Sequence, residues 1–191
     1  MTSEWASHLK ILINILENLS IRDKGGRVVR HDSAIKQWKE LALSIRERDK
    51  TIFFIGNGAS ASMASHFSAD IAKNTRIKTN VFTDLSLITA IANDLSFEEV
   101  YSEPLSWHLK EKDMLVAISS SGNSPNIVRA VKVAKKLGAV VITLSSMKGD
   151  NSIRQLGDLN FYVPAETYGL AETAHAAILH YWMDLVGLSC R

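Results

Sequence analysis

Met114-Leu115-Val116-Ala117-Ile118-Ser119-Ser120-Ser121-Gly122-Asn123-Ser124-Pro125 passes from an apolar run through a row of hydroxyls to a helix start. Five consecutive apolar residues are typical of a strand that is covered on both faces. Pro125 suits the first position of a helix, and the Ser124 hydroxyl is predicted to cap that helix. The stretch therefore predicts a buried strand, a serine-rich loop and a helix in direct succession.

The hydroxyls of this loop predict an anion site. The free N–H groups and the dipole of a helix N-terminus favour negative charge, and neutral hydroxyls can hold a phosphate beside them. A loop of serine and glycine can also be only a turn with a cap. That simpler explanation accounts for Ser124 but leaves Ser119, Ser120 and Ser121 without a role. We therefore expect a phosphate group at this loop.

Strand and helix patterns alternate along most of the chain. Strands are expected at residues 51–55, 79–83, 114–118, 139–144 and 159–163, with helices at 61–73, 85–92, 97–109, 125–136 and 170–188. Such alternation predicts right-handed βαβ units, and hence a three-layer α/β fold, flavodoxin-like or Rossmann-like, with a parallel sheet between helices.

Two amphipathic helices are predicted before the first strand. The first covers residues 4–19, and the second begins after a cap at Asp32 or Ser33. Residues 22–30, with Gly25-Gly26, are interpreted as a connector. The length of 191 residues suits one well-buried core, so we expect one domain over 1–191, with a helical pair at 1–48 and an α/β core at 51–188. An early helical pair is suited either to an oligomer contact or to packing on its own domain.

The composition excludes several classes of protein. The formal net charge is +2 and no basic block alternates with aromatic residues, so nucleic acid is not the expected partner. No apolar run approaches the length of a membrane span, and no secretory leader is recognisable. The single cysteine, Cys190, excludes an intrachain disulfide and suits a reducing compartment. We expect a cytoplasmic protein without a membrane partner.

A second phosphate-type loop follows the first predicted strand of the sheet. Gly56-Asn57-Gly58-Ala59-Ser60 leads directly into a helix. Ligands of such sheets bind beyond the carboxyl ends of the strands, so both loops are expected to face one ligand. Gly56-x-Gly58-x-x-Ala61 also matches a dinucleotide fingerprint, with Asp84 as its ribose acid. Against that alternative, Asp84 lies 26 residues after Gly58 instead of about 20, and the serine loop would have no role.

Acidic and imidazole side chains recur on two of the predicted helices. His66 and Asp70 are four residues apart and share one helix face. On the last helix, Glu172 is followed by His175 and His180, of which only one is expected to join Glu172 at a shared point. Such groups can hold Zn²⁺, or can act as an acid and a base without metal. A single histidine of this kind can also be a core or interface residue.

Taken together, these motifs resemble the sugar isomerase (SIS) domain family, and within it the branch that isomerises heptose phosphates. The resemblance covers nearly the whole chain and rests on residues 56–60, His66-Phe67, Asn93-Asp94, residues 119–124 and the segment from Glu172 to His180. It implies conversion of sedoheptulose 7-phosphate to D-glycero-D-manno-heptose 7-phosphate through an enediol, for surface polysaccharide precursors. It also implies a homotetramer with sites at subunit contacts.

The resemblance further assigns roles to individual residues. Phosphate binding falls on Ser119, Ser120, Ser121 and Ser124, and sugar contacts fall on Asn57, Gly58, Ala59, Ser60, Asn93, Asp94 and Glu172. The family's metal positions, with Zn²⁺ as the expected ion, fall on His66, Asp70, Glu172 and His180. The acid and base positions fall on Asp70 and His180, with Glu172 as a further base.

The chain departs from the family pattern at two of these positions. The family usually has Glu at the position of Asp70 and Gln at the position of Glu172. Residues 167–171 also lack the acidic-basic pair that the family carries there. Two alternatives follow: an isomerase of a different sugar phosphate, and a phosphosugar-sensing or protein-binding SIS domain without turnover.

Overall fold

The computed structural model describes residues 3–190, so Met1, Thr2 and Arg191 of the predicted domain lie outside the described residues. The helices are α1 (Glu4–Glu17), α2 (His31–Glu47), α3 (Ala59–Thr75), α4 (Leu85–Asp94), α5 (Ser102–His108), α6 (Pro125–Lys136) and α7 (Tyr168–Leu188). The strands are β1 (Ser20–Asp23), β2 (Val28–Val29), β3 (Thr51–Gly56), β4 (Lys78–Val81), β5 (Met114–Ser119), β6 (Val140–Ser145) and β7 (Leu159–Tyr162). Short 3-10 helices span Phe97–Glu99 and Ser152–Gln155.

The seven strands form one sheet in the order β2-β1-β7-β6-β5-β3-β4. β4, β3, β5, β6 and β7 run parallel to one another, and all six residues of the central β5 are buried. Burial on both faces explains the continuous apolar run of this strand. The predicted α/β fold with a parallel sheet is therefore confirmed for the strands that carry the two loops.

Each face of the sheet has its own hydrophobic core. One core joins β-strand residues such as Phe54 to α2, α3 and α7, where the Trp38 and Trp182 rings stack with centroids 4.2 Å apart. The other core joins Phe53 and its neighbours to α4, α5 and α6. Alternate residues of β3 thus enter opposite cores, as the two-residue period of a strand requires. This is the three-layer arrangement that the sequence predicts.

The interpretation of residues 22–30 as a connector is wrong, and so is the prediction that two helices precede every strand. β1 and β2 form a hairpin between α1 and α2, and β1 pairs antiparallel with β7, the last strand of the parallel part of the sheet. Gly26 has φ +80° in the turn, and the Asp23 carboxylate accepts from the Gly25 and Arg27 N–H groups. Ile21 is the only buried residue of β1, so the segment has little of the apolar alternation that identifies a strand.

Two predicted helix starts also differ in the structure. α2 begins at His31 with Arg30 at the cap position, so neither Asp32 nor Ser33 caps it. The helix predicted over 97–109 is divided into the 3-10 turn Phe97–Glu99 and the short α5. Pro104 explains the break, because a proline is tolerated in the first turn of a helix but lacks the N–H that an interior position donates.

The parallel pairing of β3 with β5 decides where the two loops lie. Gly56 at the end of β3 is in register with Ile118, one residue before the end of β5. The loops after these strands therefore emerge side by side at the carboxyl edge of the sheet. Among residues 3–190, no helix combines the length and the hydrophobicity that crossing a membrane requires.

Candidate active site

A small polar cavity, here called the serine cavity, lies at this edge of the sheet between the starts of α3, α6 and α7. Its volume is about 140 Å³. Ser119 is the last residue of β5, three further serines come from the loop after this strand, and the others come from the loop after β3, α3 and α7. The lining residues are Asn57, Ser60, Ser119, Ser120, Ser121, Ser124, Tyr168 and Glu172. The structure thus brings together six of the predicted ligand-binding side chains and Glu172.

The serine loop is shaped by a close contact at Gly122. This residue has φ +64°, and a Cβ there would lie 2.1 Å from Oδ1 of Asn151. Ser119 Oγ accepts from the Gly122 N–H at 3.2 Å, and Ser121 Oγ accepts from the Asn123 N–H at 3.3 Å. Ser119 therefore acts within the turn itself, and glycine is required because a side chain would displace Asn151.

Two hydroxyls of the loop have capacity left for a ligand. Ser120 Oγ is buried without a hydrogen-bond partner among the described residues. Ser124 occupies the cap position of α6, but its side chain makes no capping hydrogen bond, so the prediction of a hydroxyl cap is wrong. Instead its backbone carbonyl accepts from Val128, and its Oγ lies 3.5 Å from Ser121 Oγ. A buried unpaired hydroxyl is uncommon in folded proteins and calls for a partner.

The two loops are tied together by a pair of asparagines. Asn57 and Asn126 exchange side-chain hydrogen bonds of 3.0 and 2.9 Å. Asn126 is buried in the first turn of α6, and its Oδ1 also accepts from the N–H of Ile127. Asn126 was not predicted, because a polar residue in the first turn of a helix is ordinary. Only the neighbouring position of the two loops gives it a partner.

Glu172 supplies the one charge in the wall of the serine cavity, within the described part of the chain. The rest of the wall consists of hydroxyls and an amide, together with Tyr168, whose side chain is largely exposed. Tyr168 was not predicted either; it reaches the cavity because α7 begins at this residue. The cavity can therefore hold an anion through neutral donors, with a carboxylate placed to act on the group attached to it.

A second group of predicted residues, the imidazole cluster of His66, Asp70 and His180, lies where α3 and α7 pack together. His66 Nε2 is 3.4 Å from Asp70 Oδ2, and Lys73 Nζ is 3.5 Å from Asp70 Oδ1. The His66 and His180 rings have centroids 5.5 Å apart, and the Phe67 ring packs edge-on against His180. Both histidines are exposed. The structure therefore joins His66 with Asp70 and places His180 beside them.

The imidazole cluster and the serine cavity are separate within one chain. His180 follows Glu172 by eight residues, which is about 12 Å along a helix. Asp70 follows Ser60 by ten residues, or about 15 Å along α3. Residues 3–190 contain no group of three or more His, Cys, Asp or Glu side chains that is placed to hold a metal ion. The four positions predicted for zinc therefore do not fit one ion within a single chain.

The remaining predicted residues lie outside the wall of the serine cavity. Gly58 has φ +55° at the cap position of α3, and Ala59 begins that helix, so both shape the loop through the backbone. Asn93 donates to the Asp94 carboxylate at 2.8 Å at the exposed end of α4. Asp84 accepts from the N–H of Leu87 as the cap of α4, which gives it a role other than binding a ribose.

His175 is the histidine of α7 that turns inward. It is fully buried, and its Nε2–H donates to the Ser145 carbonyl at 3.2 Å. Burial lowers the pKa of His175 to about 4, and the hydrogen bond to Ser145 opposes this only in part. A neutral, buried imidazole behind the end of β6 supports the sheet edge and does not face the ligand.

Comparisons with known proteins agree with this arrangement. Residues 21–146 match the family model of the SIS domain. The chain is 30% identical over 189 residues to a phosphoheptose isomerase of Helicobacter pylori, covering 96% of this chain and 92% of that protein. It is 34% identical over 175 residues to a phosphoheptose isomerase of Coxiella burnetii, covering 87% of this chain and 88% of that protein.

A solved structure agrees with the fold over almost the same length. The phosphoheptose isomerase of Neisseria gonorrhoeae superposes with a TM-score of 0.81 at 30% identity, covering 95% of this chain and 97% of that one. The family model spans well over half of the chain and includes both loops of the serine cavity. The chain therefore belongs to the SIS domain family.

Proposed function

We propose that the protein is a phosphoheptose isomerase, which converts sedoheptulose 7-phosphate to D-glycero-D-manno-heptose 7-phosphate as a single SIS domain. The observation that carries the proposal is the buried, unpartnered Ser120 hydroxyl in a cavity that also contains the Glu172 carboxylate. The relatives that match nearly the whole chain, named as phosphoheptose isomerases, support the choice of sugar. An isomerase of this kind supplies precursors of surface polysaccharides.

The serine cavity is suited to the phosphate end of the substrate. Its volume of about 140 Å³ and its lining of hydroxyls suit a phosphoryl group. We assign the phosphate to Ser120, Ser121 and Ser124, with the N–H groups at the start of α6. The sugar then extends past Glu172 toward Tyr168. Binding the remote phosphate positions the reacting carbons, so these contacts support turnover as well as affinity.

We assign the role of the base to Glu172, which lines the serine cavity. Its carboxylate removes a proton from C1 of the ketose while the C2 carbonyl oxygen accepts a proton from an acid, which gives the enediol. Return of a proton to C2, with loss of the proton on the C1 oxygen, forms the aldehyde. The step needs no oxidant or reductant. His180 is our candidate for the acid, with Asp70 beside His66 as part of the same group.

We infer that the His180 of each site belongs to a second copy of the chain. Base and acid each lie about 3 Å from neighbouring atoms of the substrate, whereas Glu172 and His180 of one chain are separated by about 12 Å along α7. The exposed position of His66 and His180 leaves them accessible to a neighbouring subunit. We therefore propose a homo-oligomer, with the family's tetramer as the expected form, in which each site joins the serine cavity of one subunit to the imidazole cluster of another.

Zinc has no assigned step in this mechanism. The four positions expected to bind it are divided between two separate groups in one chain, and a complete set of ligands would again need two subunits. Metal analysis of the purified oligomer tests that expectation. We further propose that the protein acts in the cytoplasm, since its one cysteine, Cys190, is a free thiol.

The activity is tested by incubating the protein with sedoheptulose 7-phosphate in D₂O and following the sugar by NMR. We expect the anomeric signal of an aldose, with deuterium incorporated at C2 because the enediol exchanges its proton with solvent. Glu172→Gln is the inactive comparison, and Glu166→Gln, an exposed carboxylate before α7, is the matched control that retains activity. Binding of the sugar phosphate without conversion, with or without Zn²⁺, would contradict the isomerase and favour a sensing role.

A further inference from the structure

A second polar cavity lies at the other end of the sheet, between the β1–β2 hairpin and the 3-10 helix Ser152–Gln155. It has a volume of about 440 Å³ and is lined on one side by Arg154 and on the other by Arg22, Lys24 and the glycine turn. We call it the arginine pocket. Asp23 also lines it, but Arg27 already binds that carboxylate at 2.7 Å. The pocket therefore has an excess of positive charge.

Arg154 is held rigidly in the wall of this pocket. Only 8% of the residue is exposed, and its guanidinium carbon lies 4.0 Å from the centroid of the Tyr162 ring. Its terminal N–H groups donate to the Gly149 carbonyl and, at 3.0 Å, to Ser20 Oγ. Its Nε–H has no partner, and no carboxylate among residues 3–190 forms an ion pair with it. A buried guanidinium is normally paired with an anion, and here that partner is missing.

Arg22 adds a second charge of the same kind. Its neighbour Ile21 enters the hydrophobic core, so the alternation along β1 directs Arg22 to the opposite face of the sheet, toward Arg154. The Arg22 Nε–H is also buried without a partner, and Arg22 likewise forms no ion pair within the described residues. Burial lowers the pKa of Arg154, and the charge of Arg22 lowers it further. Two neighbouring cations in the wall of one pocket are stabilised by an anion between them.

We propose that the arginine pocket binds the phosphoryl group of a small phosphorylated metabolite. Guanidinium groups present paired N–H donors that match phosphate oxygens, and Arg154 is already fixed by stacking and hydrogen bonds. Lys24, which is exposed, contributes a third charge to the pocket. None of the residues that line this pocket lines the serine cavity. The site is therefore additional to the one that binds the substrate.

The arginine pocket is connected to the serine loop through the 3-10 helix Ser152–Gln155. Asn151 caps this helix by accepting from the N–H of Arg154, and it packs against Gly122. The N–H of Ile153 donates to the Gly122 carbonyl at 3.0 Å. A phosphoryl group held by Arg154 thus lies one short helix away from the loop that binds the substrate phosphate.

The test is NMR of the arginine Nε–H signals in the full-length protein, titrated with inorganic phosphate and, separately, with glycerol 3-phosphate. The titrations use the Ser120→Ala variant, in which phosphate binding at the serine cavity is weakened. Binding at the arginine pocket is then observed separately. We expect the Arg22 and Arg154 Nε–H signals to shift together with one saturation curve. Glycerol, as the analogue without phosphate, should leave them unchanged. Tighter binding of glycerol 3-phosphate than of inorganic phosphate would identify an ester as the ligand.

Variants distinguish phosphate binding at a specific site from nonspecific attraction by positive charge. Arg22→Gln should weaken binding about tenfold or more, because it removes a charge-assisted hydrogen bond. Arg154→Lys, which keeps the positive charge but loses the paired guanidinium N–H donors, should weaken phosphate binding as well. Arg30→Gln is the matched control, since Arg30 is exposed and lies outside the pocket. Signals that do not respond to either phosphate compound, or an equal loss in Arg30→Gln, would overturn the proposal. Arg22 is half-buried, so its variant decides the question if Arg154→Lys does not fold.

Discussion

Asn57 and Asn126 hydrogen-bond each other twice, amide to amide, although they are 69 residues apart in the chain. One belongs to the loop after β3 and the other to the first turn of α6, so this pair joins the two halves of the serine cavity. Because each amide satisfies the other, the loops hold their relative position before any ligand binds. A preorganised site loses less entropy when the ligand arrives.

The asparagine pair leads to the first prediction. Asn126→Ala leaves the Asn57 amide without its partner, and we expect the KM for the sugar phosphate to rise about tenfold, with a smaller change in kcat. Steady-state kinetics measures both constants. Asn74→Ala, an exposed asparagine near the end of α3, is the control that should change neither. An unaltered KM in a folded Asn126→Ala protein would show that the pair does not position the loops.

Removal of the Ser120 hydroxyl is expected to have opposite effects on stability and on affinity. Ser120→Ala removes a buried oxygen that has no hydrogen-bond partner within residues 3–190, so the free energy of unfolding without ligand should stay equal or rise by about 1 kcal/mol. Affinity for the sugar phosphate should fall about tenfold or more, because the hydroxyl is then missing from the complex. Urea unfolding and calorimetric titration measure the two quantities. Ser62→Ala, on the exposed side of α3, should affect neither.

A ligand-free stability loss in Ser120→Ala, with affinity retained, would mean that the hydroxyl serves the fold and not the phosphate. That result would remove the main structural support for the proposed function.

Because each proposed site joins groups from two subunits, mixing two inactive variants is expected to restore activity. Glu172→Gln and His180→Asn should each lower kcat by about 10²-fold or more, the usual contribution of acid–base groups. In a symmetric pair of subunits, a mixed oligomer contains one site with both groups intact, so equal co-expression should restore about a quarter of the wild-type activity. Specific activity of the purified mixture is the measurement.

The control for this experiment uses two residues of the same cavity. The mixture of Glu172→Gln with Ser120→Ala should be no more active than the Ser120→Ala protein. Both side chains line the serine cavity of one chain, so every mixed site retains one defect. Failure of the first mixture to exceed its parents would mean that His180 acts within its own chain or does not act at all.

His175 predicts a pH dependence of stability. Burial lowers its pKa to about 4 in the folded protein, against about 6.5 in the unfolded chain. Between these values the unfolded chain binds a proton that the folded protein does not, so the free energy of unfolding decreases as the pH falls from about 6.5 to 4. The free energy of unfolding falls by roughly 3 kcal/mol in total over this range, and it does not depend on His175 above about pH 6.5.

Urea unfolding between pH 7 and pH 4.5 measures this dependence. His175→Gln retains a donor for the Ser145 carbonyl but does not titrate, so its stability should vary less over the same range. An identical pH slope in the two proteins would assign the acid sensitivity to carboxylates instead.

Much of the candidate site could be predicted from the sequence, because its residues are adjacent in the chain to recognisable elements. A buried strand, a hydroxyl loop and a proline at a helix start identify the phosphate-type loop without knowledge of the fold. The family and the α/β architecture are confirmed. The role of Asn126 was not predictable, since its partner Asn57 meets it only when β3 and β5 pair. The hairpin at residues 20–29 was missed because β1 and β2 bury only one side chain between them, that of Ile21.

The sequence by itself determined the alternation of strands and helices from β3 onward and the loop chemistry, because periodicity, caps and turns are local properties of the chain. Only the tertiary structure decided which polar groups meet. It placed Glu172 in the serine cavity. About two helical turns farther along α7, the packing of α3 on α7 placed His180 beside His66. It also brought Arg22 beside Arg154, 132 residues later, since pairing across a sheet joins segments that no local pattern relates.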